Sequence, residues 1–261
     1  MSSISPPSSS APSAPRILLV TGASRGIGAA AARAAARAGW DVAVNYTRDA
    51  AAAQAVAGDV RALGRRALVV QADVGDEAQV LAMFAAVDTG LGRLTGLVNN
   101  AGVVDLPARV EEMTLERLQR MWSINITGSF LCAREALKRM SRRHGGPGGA
   151  IVNLSSAAAK LGSPNQYVDY AASKGAIDTF TLGLAREVAA EGVRVNGVRP
   201  GIIDTDIHAS GGLPDRVAQV APTVPMQRAG TAQEVAAAIV WLLSEDASYT
   251  TGTTIEVTGG R

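Results

Sequence analysis

The sequence predicts a doubly wound α/β fold: one seven-stranded parallel sheet with helices on both faces, in a single domain. Three observations predict it. Short aliphatic runs alternate with longer Ala-rich amphipathic stretches from Arg16 onward. The segments that follow the aliphatic runs are polar or Gly-rich, as expected of loops at the carboxyl edge of an open parallel sheet, where ligands bind. A length of 261 residues is also one that such folds often fill as a single unit.

The elements follow in order. RILLV leads into a helix running to 38, DVAVNY into a helix over 50–63, and RALVVQ into one over 76–89. GLVNN precedes a long helical region over 115–142, AIVNLSS a helix over 169–190, VRVNGVR one over 232–243, and TTIEV is the last strand. The runs have strand length and the intervening stretches helical periodicity. Parallel neighbours need crossovers, and helical crossovers cover both faces of the sheet.

Bulk composition narrows the function classes. A net charge of +2 with 18% charged residues suggests neither a nucleic-acid footprint nor a polybasic membrane patch. No apolar run approaches the roughly 20 residues of a membrane span. The single cysteine, Cys132 in GSFLCAREAL, permits no intrachain disulfide and reads as a small buried hydrophobe. The tail MSSISPPSSSAPSAP has no basic or apolar signal region and too little apolar surface to order itself. The expectation is a disordered tail over 1–14, a domain over 15–261, and a cytoplasmic protein that takes a small molecule and no metal.

TGASRGIG joins the first strand to the first helix, with Gly22, Gly26 and Gly28 spaced G-x3-G-x-G. Glycines there let the backbone approach a pyrophosphate at a helix N-terminus, where free N–H groups and the helix dipole favour anions. The loop therefore predicts a Rossmann-type dinucleotide site drawing on Gly22, Ser24, Arg25, Gly26, Ile27 and Gly28. NAD sites usually carry an acid after the second strand, about 20 residues past the glycines, for the ribose 2′-hydroxyl. Here that strand ends VNYTRD, with Tyr46, then Arg48, and no carboxylate before Asp49. With Arg25 in the loop, a 2′-phosphate would meet cations, which predicts NADP(H) over NAD(H).

YVDYAASK poses a separate question. Residues four apart share a helix face, so Tyr170 pairs with Lys174, whereas Tyr167 pairs with Ala171. An ammonium beside a phenol favours the phenolate and would bring it toward working pH. Tyr170 is therefore the candidate acid/base.

Taken in order, the glycine loop, NNAG, Asn125, the serine pair, YxxxK and PG-x3-T resemble the classical short-chain dehydrogenases/reductases over 16–260. The resemblance implies that Asn99, Ala101 and Gly102 lie beside the adenosine half of the cofactor, with Asp73 and Val74 of ADV close to the adenine. It makes Asn125 the fourth catalytic residue, which holds a helix distortion and a water leading to Lys174. Ser155 and Ser156 are adjacent on an extended segment and point opposite ways. The family usually uses the second, Ser156, with Ser155 as the fallback; Ser156 precedes Tyr170 by one position more than is usual. Pro200 and Gly201 turn the chain, Ile203 meets the carboxamide through its backbone, and Thr205 bonds the nicotinamide. The stretch DIHASGGLPDRVAQVAPTVP resembles the variable lid over the substrate, with His208 a bystander. The pocket walls would include Leu106, Ala157, Lys160 and Tyr167.

Together these features imply transfer of hydride between nicotinamide and a ketone, aldehyde or alcohol. Tyr170 would exchange the proton, Ser156 orient the oxygen, Lys174 tune the phenol and bind the cofactor ribose, and Asn125 support a proton path. A homotetramer or homodimer is implied as well. The alternative is a catalytically silent dinucleotide-binding regulator, since fold alone does not give turnover. Against it, all four catalytic-type positions are filled. A nucleotide-sugar epimerase or dehydratase would need a longer chain and a different glycine spacing.

Overall fold

The computed structural model describes residues 15–205, 211–213 and 215–261. The tail 1–14, His208 and part of the expected lid lie outside the described residues.

Seven strands form one parallel sheet: β1 (Ile17–Val20), β2 (Asp41–Tyr46), β3 (Ala67–Gln71), β4 (Gly96–Asn99), β5 (Gly149–Leu154), β6 (Val193–Pro200) and β9 (Thr254–Val257). Their order is β3-β2-β1-β4-β5-β6-β9. The chain winds outward from β1 in one direction and, after β4, in the other. The switch point between β1 and β4 is where open α/β sheets open a crevice. Two short strands, β7 (Ile203–Asp204) and β8 (Gly230–Thr231), pair separately, a feature the aliphatic pattern does not announce.

Period-two alternation divides the core. Leu18, Val20, Val42 and Val44 face one side, against α1 (Gly26–Arg37), α2 (Ala50–Ala62) and α9 (Ala232–Leu243). Ile17, Leu19, Ala43 and Leu97 face the other, against α3 (Glu77–Gly90), α5 (Gly128–Met140) and α7 (Val168–Val188). Alanines make α1 thin: Ala29, Ala31, Ala32, Ala35 and Ala36 are buried against Val235, Ala236 and Ile239 of α9. Cys132 is fully buried in the second layer, and burial with Glu135 nearby pushes its thiol up to about 12, leaving it an inert filler.

Side chains close four of the helix N-termini. Asp49 accepts from the Ala52 N–H, Asp76 from Gln79, Thr114 from Arg117, and Thr231 from Glu234 in a capping box. At α1 no such cap is present: Arg25 stands at the cap position and supplies no side-chain acceptor. The first N–H groups of that helix are left for another anion.

The long helical region expected over 115–142 consists of α4 (Leu115–Trp122), a π-helical turn over Ser123–Thr127, and α5. The Gly128 N–H reaches back to the Ser123 carbonyl, the i→i−5 bond of a π turn. Short helices α6 (Ala158–Leu161) and α8 (Arg216–Val220) flank the site described next.

Candidate active site

The glycine loop lies at the carboxyl edge of β1, beside the switch point. Gly22 and Gly26 take φ of 61° and 55°, a region that favours glycine. At Gly28 the demand is steric: a Cβ would stand 2.4 Å from the Gly22 carbonyl oxygen and 2.5 Å from Asn100 Nδ2. Asn45 fixes the loop from below, its Oδ1 accepting from the Gly22 N–H at 3.0 Å while its Nδ2 donates to the Ala72 carbonyl at 3.0 Å. Asn100 Nδ2 donates to the carbonyls of Thr21 and Gly22 at 2.8 and 3.0 Å. The tight loop and the uncapped start of α1 together make a cradle that fits a dinucleotide pyrophosphate. Ser24 stands half-buried in this loop, and Arg25 and Arg48 are exposed beside it.

The other expected cofactor residues line the same edge. Tyr46 packs on the first core layer. The Asp73 carboxylate accepts from the Gly75 N–H at 2.9 Å, and buried Val74 sits against Gly128. The Ala101 N–H donates to Thr21 Oγ1. One expectation is corrected. The Asn99 side chain points into the core, where Nδ2 donates to Asn153 Oδ1 and the Ser129 carbonyl, because β4 turns it between two layers. Asn100, the next residue, lines the cavity instead.

A cavity of about 410 Å³ opens below the cradle. It gathers Ile27 of α1, Gly102 after β4, Ser156 after β5, Pro200, Gly201, Ile203 and Thr205 from the end of β6 onward, and Tyr170 and Lys174 of α7. The Pro200 carbonyl accepts from the Ala157 N–H, tying the loop after β6 to the loop after β5. Lys174 is buried, and its Nζ donates to the Leu154 carbonyl at 2.7 Å and stands 5.6 Å from the Tyr170 ring centroid. A Cβ on Gly102 would lie 3.4 Å from Asn125 Oδ1 and 3.6 Å from Lys174 Nζ. Those three groups therefore share one corner.

The two serines separate as an extended segment requires. The Ser155 hydroxyl donates to the Lys174 carbonyl at 3.2 Å, whereas Ser156 stands beside the Tyr170 phenol. Between Ser156 and Tyr170 the chain forms α6 and a turn in which Gly162, Ser163 and Asn165 all have positive φ. Asn125, buried in the π turn, accepts from the Val103 N–H at 2.8 Å through Oδ1. Its Nδ2 donates to the Val103 carbonyl at 2.9 Å and Ser173 Oγ at 3.1 Å. It clamps the loop after β4 to α7. Arg117 adds a second clamp, pairing with the fully buried carboxylate of Asp169 at 2.8 Å, next to Tyr170.

Electrostatics in this corner differ from the sequence expectation. The phenol of Tyr170 is raised above its ordinary value by burial, with Ser156 acting in the opposite direction. The expected depression by Lys174 does not prevail, because the ammonium lies over the ring and is directed at the Leu154 carbonyl. Burial lowers Lys174 itself to about 8 against 10.5, and Asp178 opposes that fall. Between those values the unfolded chain holds a proton that the folded chain has lost, so stability rises with pH across the window. Urea denaturation at about pH 7 and about pH 10 should therefore show a gain in the wild type, up to about 3 kcal/mol, that Lys174→Met lacks. Equal gains in both proteins would clear Lys174 of the effect.

The cavity walls also differ from expectation. Ala157 and Tyr167 line the cavity, but Leu106 is 59% exposed and reaches toward Gly212, and Lys160 is exposed in an ion pair with Glu256. Val104, Leu161, Gln166 and Arg216 also line the cavity and were not singled out from sequence. Asn45 and Asn100 were missed too. An Asn inside DVAVNY, and a second Asn closing GLVNN, are polar departures that could have marked them. Among the described residues no group of three or more His, Cys, Asp or Glu could hold a metal, and no helix is long and apolar enough to cross a membrane.

Comparison with known proteins adds an independent line. A family model described as enoyl-(acyl carrier protein) reductase matches residues 22–261. "Uncharacterized oxidoreductase YgfF" of Escherichia coli (strain K12) is 58% identical over 245 residues, covering 94% of this chain and 99% of that protein. The 3-oxoacyl-[acyl-carrier-protein] reductase FabG of Staphylococcus aureus (strain Mu50 / ATCC 700699) is 38% identical, covering 93% and 96%. A short chain dehydrogenase from Burkholderia cenocepacia J2315, solved in complex with NADP, superposes with a TM-score of 0.86 at 34% identity, covering 94% and 97%.

Proposed function

The chain belongs to the short-chain dehydrogenase/reductase family, and on that premise we propose an NADP(H)-dependent oxidoreductase that interconverts a ketone or aldehyde and its alcohol, with Tyr170 as general acid and base. One observation carries the proposal: Ser156, Tyr170 and Lys174 meet in a single cavity directly below the glycine cradle.

A bound nicotinamide dinucleotide supplies or accepts the hydride. The chain's own residues do the rest. Gly22, Gly26 and Gly28 admit the pyrophosphate to the start of α1. Ile203 and Thr205, which also line the cavity, would hold the nicotinamide end. As the carbonyl oxygen gains negative charge, Tyr170 gives it a proton and Ser156 donates a hydrogen bond. The raised phenol keeps its proton at neutral pH, which suits it to reduction. Lys174 would hold the nicotinamide ribose of a bound cofactor and, with the corner held by Asn125, would return a proton to Tyr170. Asn125 positions this machinery through its clamp on Val103 and Ser173.

Cofactor choice follows from charge at the ends of β1 and β2. Asp49, the first carboxylate after β2, is engaged as the cap of α2, while Arg25 and Arg48 are exposed and form no ion pair among the described residues. The relative crystallised with NADP supports the same choice. Replacing both arginines by alanine should lower the ratio of kcat/KM for NADPH over NADH by about 10- to 100-fold, the loss expected for charge-assisted hydrogen bonds. A wild type that favours NADH several-fold would end the NADP assignment.

A dimer or tetramer built through α5 and α7 belongs to the same proposal. It is supported by Phe130 and Phe180, whose rings stack 3.8 Å apart, with Phe130 47% exposed. So does a soluble cytoplasmic setting. The test of function is consumption of NADPH against a panel of ketones and aldehydes. A protein that binds NADPH yet consumes none with any of them would be the silent dinucleotide-binding regulator.

A further inference from the structure

The cavity is asymmetric in charge. Among the described residues its lining contains three cationic side chains, Lys174, Arg216 and Arg261, and no Asp or Glu side chain. Lys174 is committed at the inner end to the Leu154 carbonyl. Arg216 occupies the outer end. It is half-buried, its guanidinium lies 5.2 Å from the Tyr167 ring centroid, and it donates to the Gln166 side-chain oxygen. Among the described residues it meets no carboxylate within ion-pair distance, unlike Arg117, which is neutralised by Asp169.

Tyr167 is the platform under Arg216. Tyr167 is buried, and its hydroxyl donates to the Gly211 carbonyl at 3.3 Å. The ring therefore holds Gly211 and presents one face to the guanidinium, an arrangement in which an arginine stacks while its N–H fork stays available. Tyr167 precedes Tyr170 by about one helical turn, a rise of about 5 Å. Arg216 and the phenol thus line one cavity, together with the apolar Val104, Leu161 and Pro164.

We infer that the substrate is a small oxo acid, whose carboxylate Arg216 binds at the outer end of the cavity while its carbonyl meets Tyr170 and Ser156. A planar guanidinium matches a carboxylate with two parallel hydrogen bonds. The apolar wall suits the short carbon spacer between the two groups. The same cavity must also admit the nicotinamide ring, so its 410 Å³ leaves room for a compact molecule only. This inference rests on the carbonyl-reductase proposal and specifies its substrate class.

The experiment compares each acid with its neutral ester: levulinate against methyl levulinate, and acetoacetate against methyl acetoacetate. Steady-state kinetics with NADPH are measured for the wild type, Arg216→Ala and Arg216→Lys. Wild type should prefer the acids, and Arg216→Ala should lose about 10- to 100-fold in kcat/KM toward them, mainly through KM, as a charged hydrogen-bond pair implies. The esters should change little, and Arg216→Lys should recover part of the loss by retaining the charge. Equal losses on acid and ester, or a wild-type preference for the esters, would overturn the inference.

Calorimetric titration of the same acids into the NADP⁺-loaded proteins separates the two levels of proposal. Acid binding that needs Arg216 but leads to no turnover would keep the anion site and sink the reductase assignment. Turnover of esters with no acid preference would sink the oxo-acid inference alone. Circular dichroism and NADPH binding by the variants show that Arg216 changes act locally.

Discussion

Tyr170→Phe is expected to lower turnover by about 10²- to 10⁴-fold, the contribution of a positioned general acid, while leaving NADPH affinity nearly unchanged. The phenyl ring is retained, so Lys174 keeps its place over it and its bond to the Leu154 carbonyl. Only the hydroxyl beside Ser156 is lost. Single-turnover oxidation of bound NADPH, together with a fluorescence titration of NADPH binding, reads the two effects separately. Turnover within a few-fold of wild type would mean that the proton comes from elsewhere and that the cavity has been misassigned. Tyr167→Phe makes the matched comparison, since that hydroxyl donates to Gly211 and lies outside the Ser156–Lys174 corner.

Gly28→Ala is expected to act on the cofactor side with similar severity. The new Cβ would lie 2.4 Å from the Gly22 carbonyl oxygen, a backbone atom that cannot yield without moving the loop. Moving it also breaks the bonds from Asn100 Nδ2 to the Thr21 and Gly22 carbonyls. A displacement of about 1 Å in a positioning element costs on the order of 10²-fold, and overpacking costs about 1–3 kcal/mol of stability. Calorimetric titration with NADP⁺ should thus show a large loss of affinity, and thermal unfolding a lowered Tm. Gly175→Ala, whose Cβ would meet nothing within 4 Å on α7, should bind normally and unfold no earlier. Normal cofactor binding by Gly28→Ala would show that the loop is not the phosphate cradle.

Much of this architecture was legible in the chain itself. The alternation of RILLV, DVAVNY and their successors with Ala-rich stretches corresponds to the seven-stranded parallel sheet, because side-chain periodicity reports directly on backbone period. The glycine spacing after β1 was legible for the same local reason: positive φ at Gly22 and Gly26 excludes most other residues. The i,i+4 relation of Tyr170 and Lys174 needed only a helix. The break at Asn125 entered through family resemblance and corresponds to a π turn, whereas the helical pattern over 115–142 runs through it without interruption.

What the residues alone determined, then, was backbone period, element order, and which loops share the carboxyl edge of the sheet. Tertiary structure decided which side chains face the cavity and in what charge state. Asn99 and Asn100 are adjacent and identical in type, yet one joins Asn153 in the core and the other holds the glycine loop. Lys174 and Arg216 are both cations, but one is buried enough to fall to about 8 while the other stacks on Tyr167 at the cavity mouth. The physical reason is range. Periodicity and allowed φ are set within a few residues, whereas desolvation, hydrogen-bond partners and ion pairing depend on segments that meet only after the chain has folded.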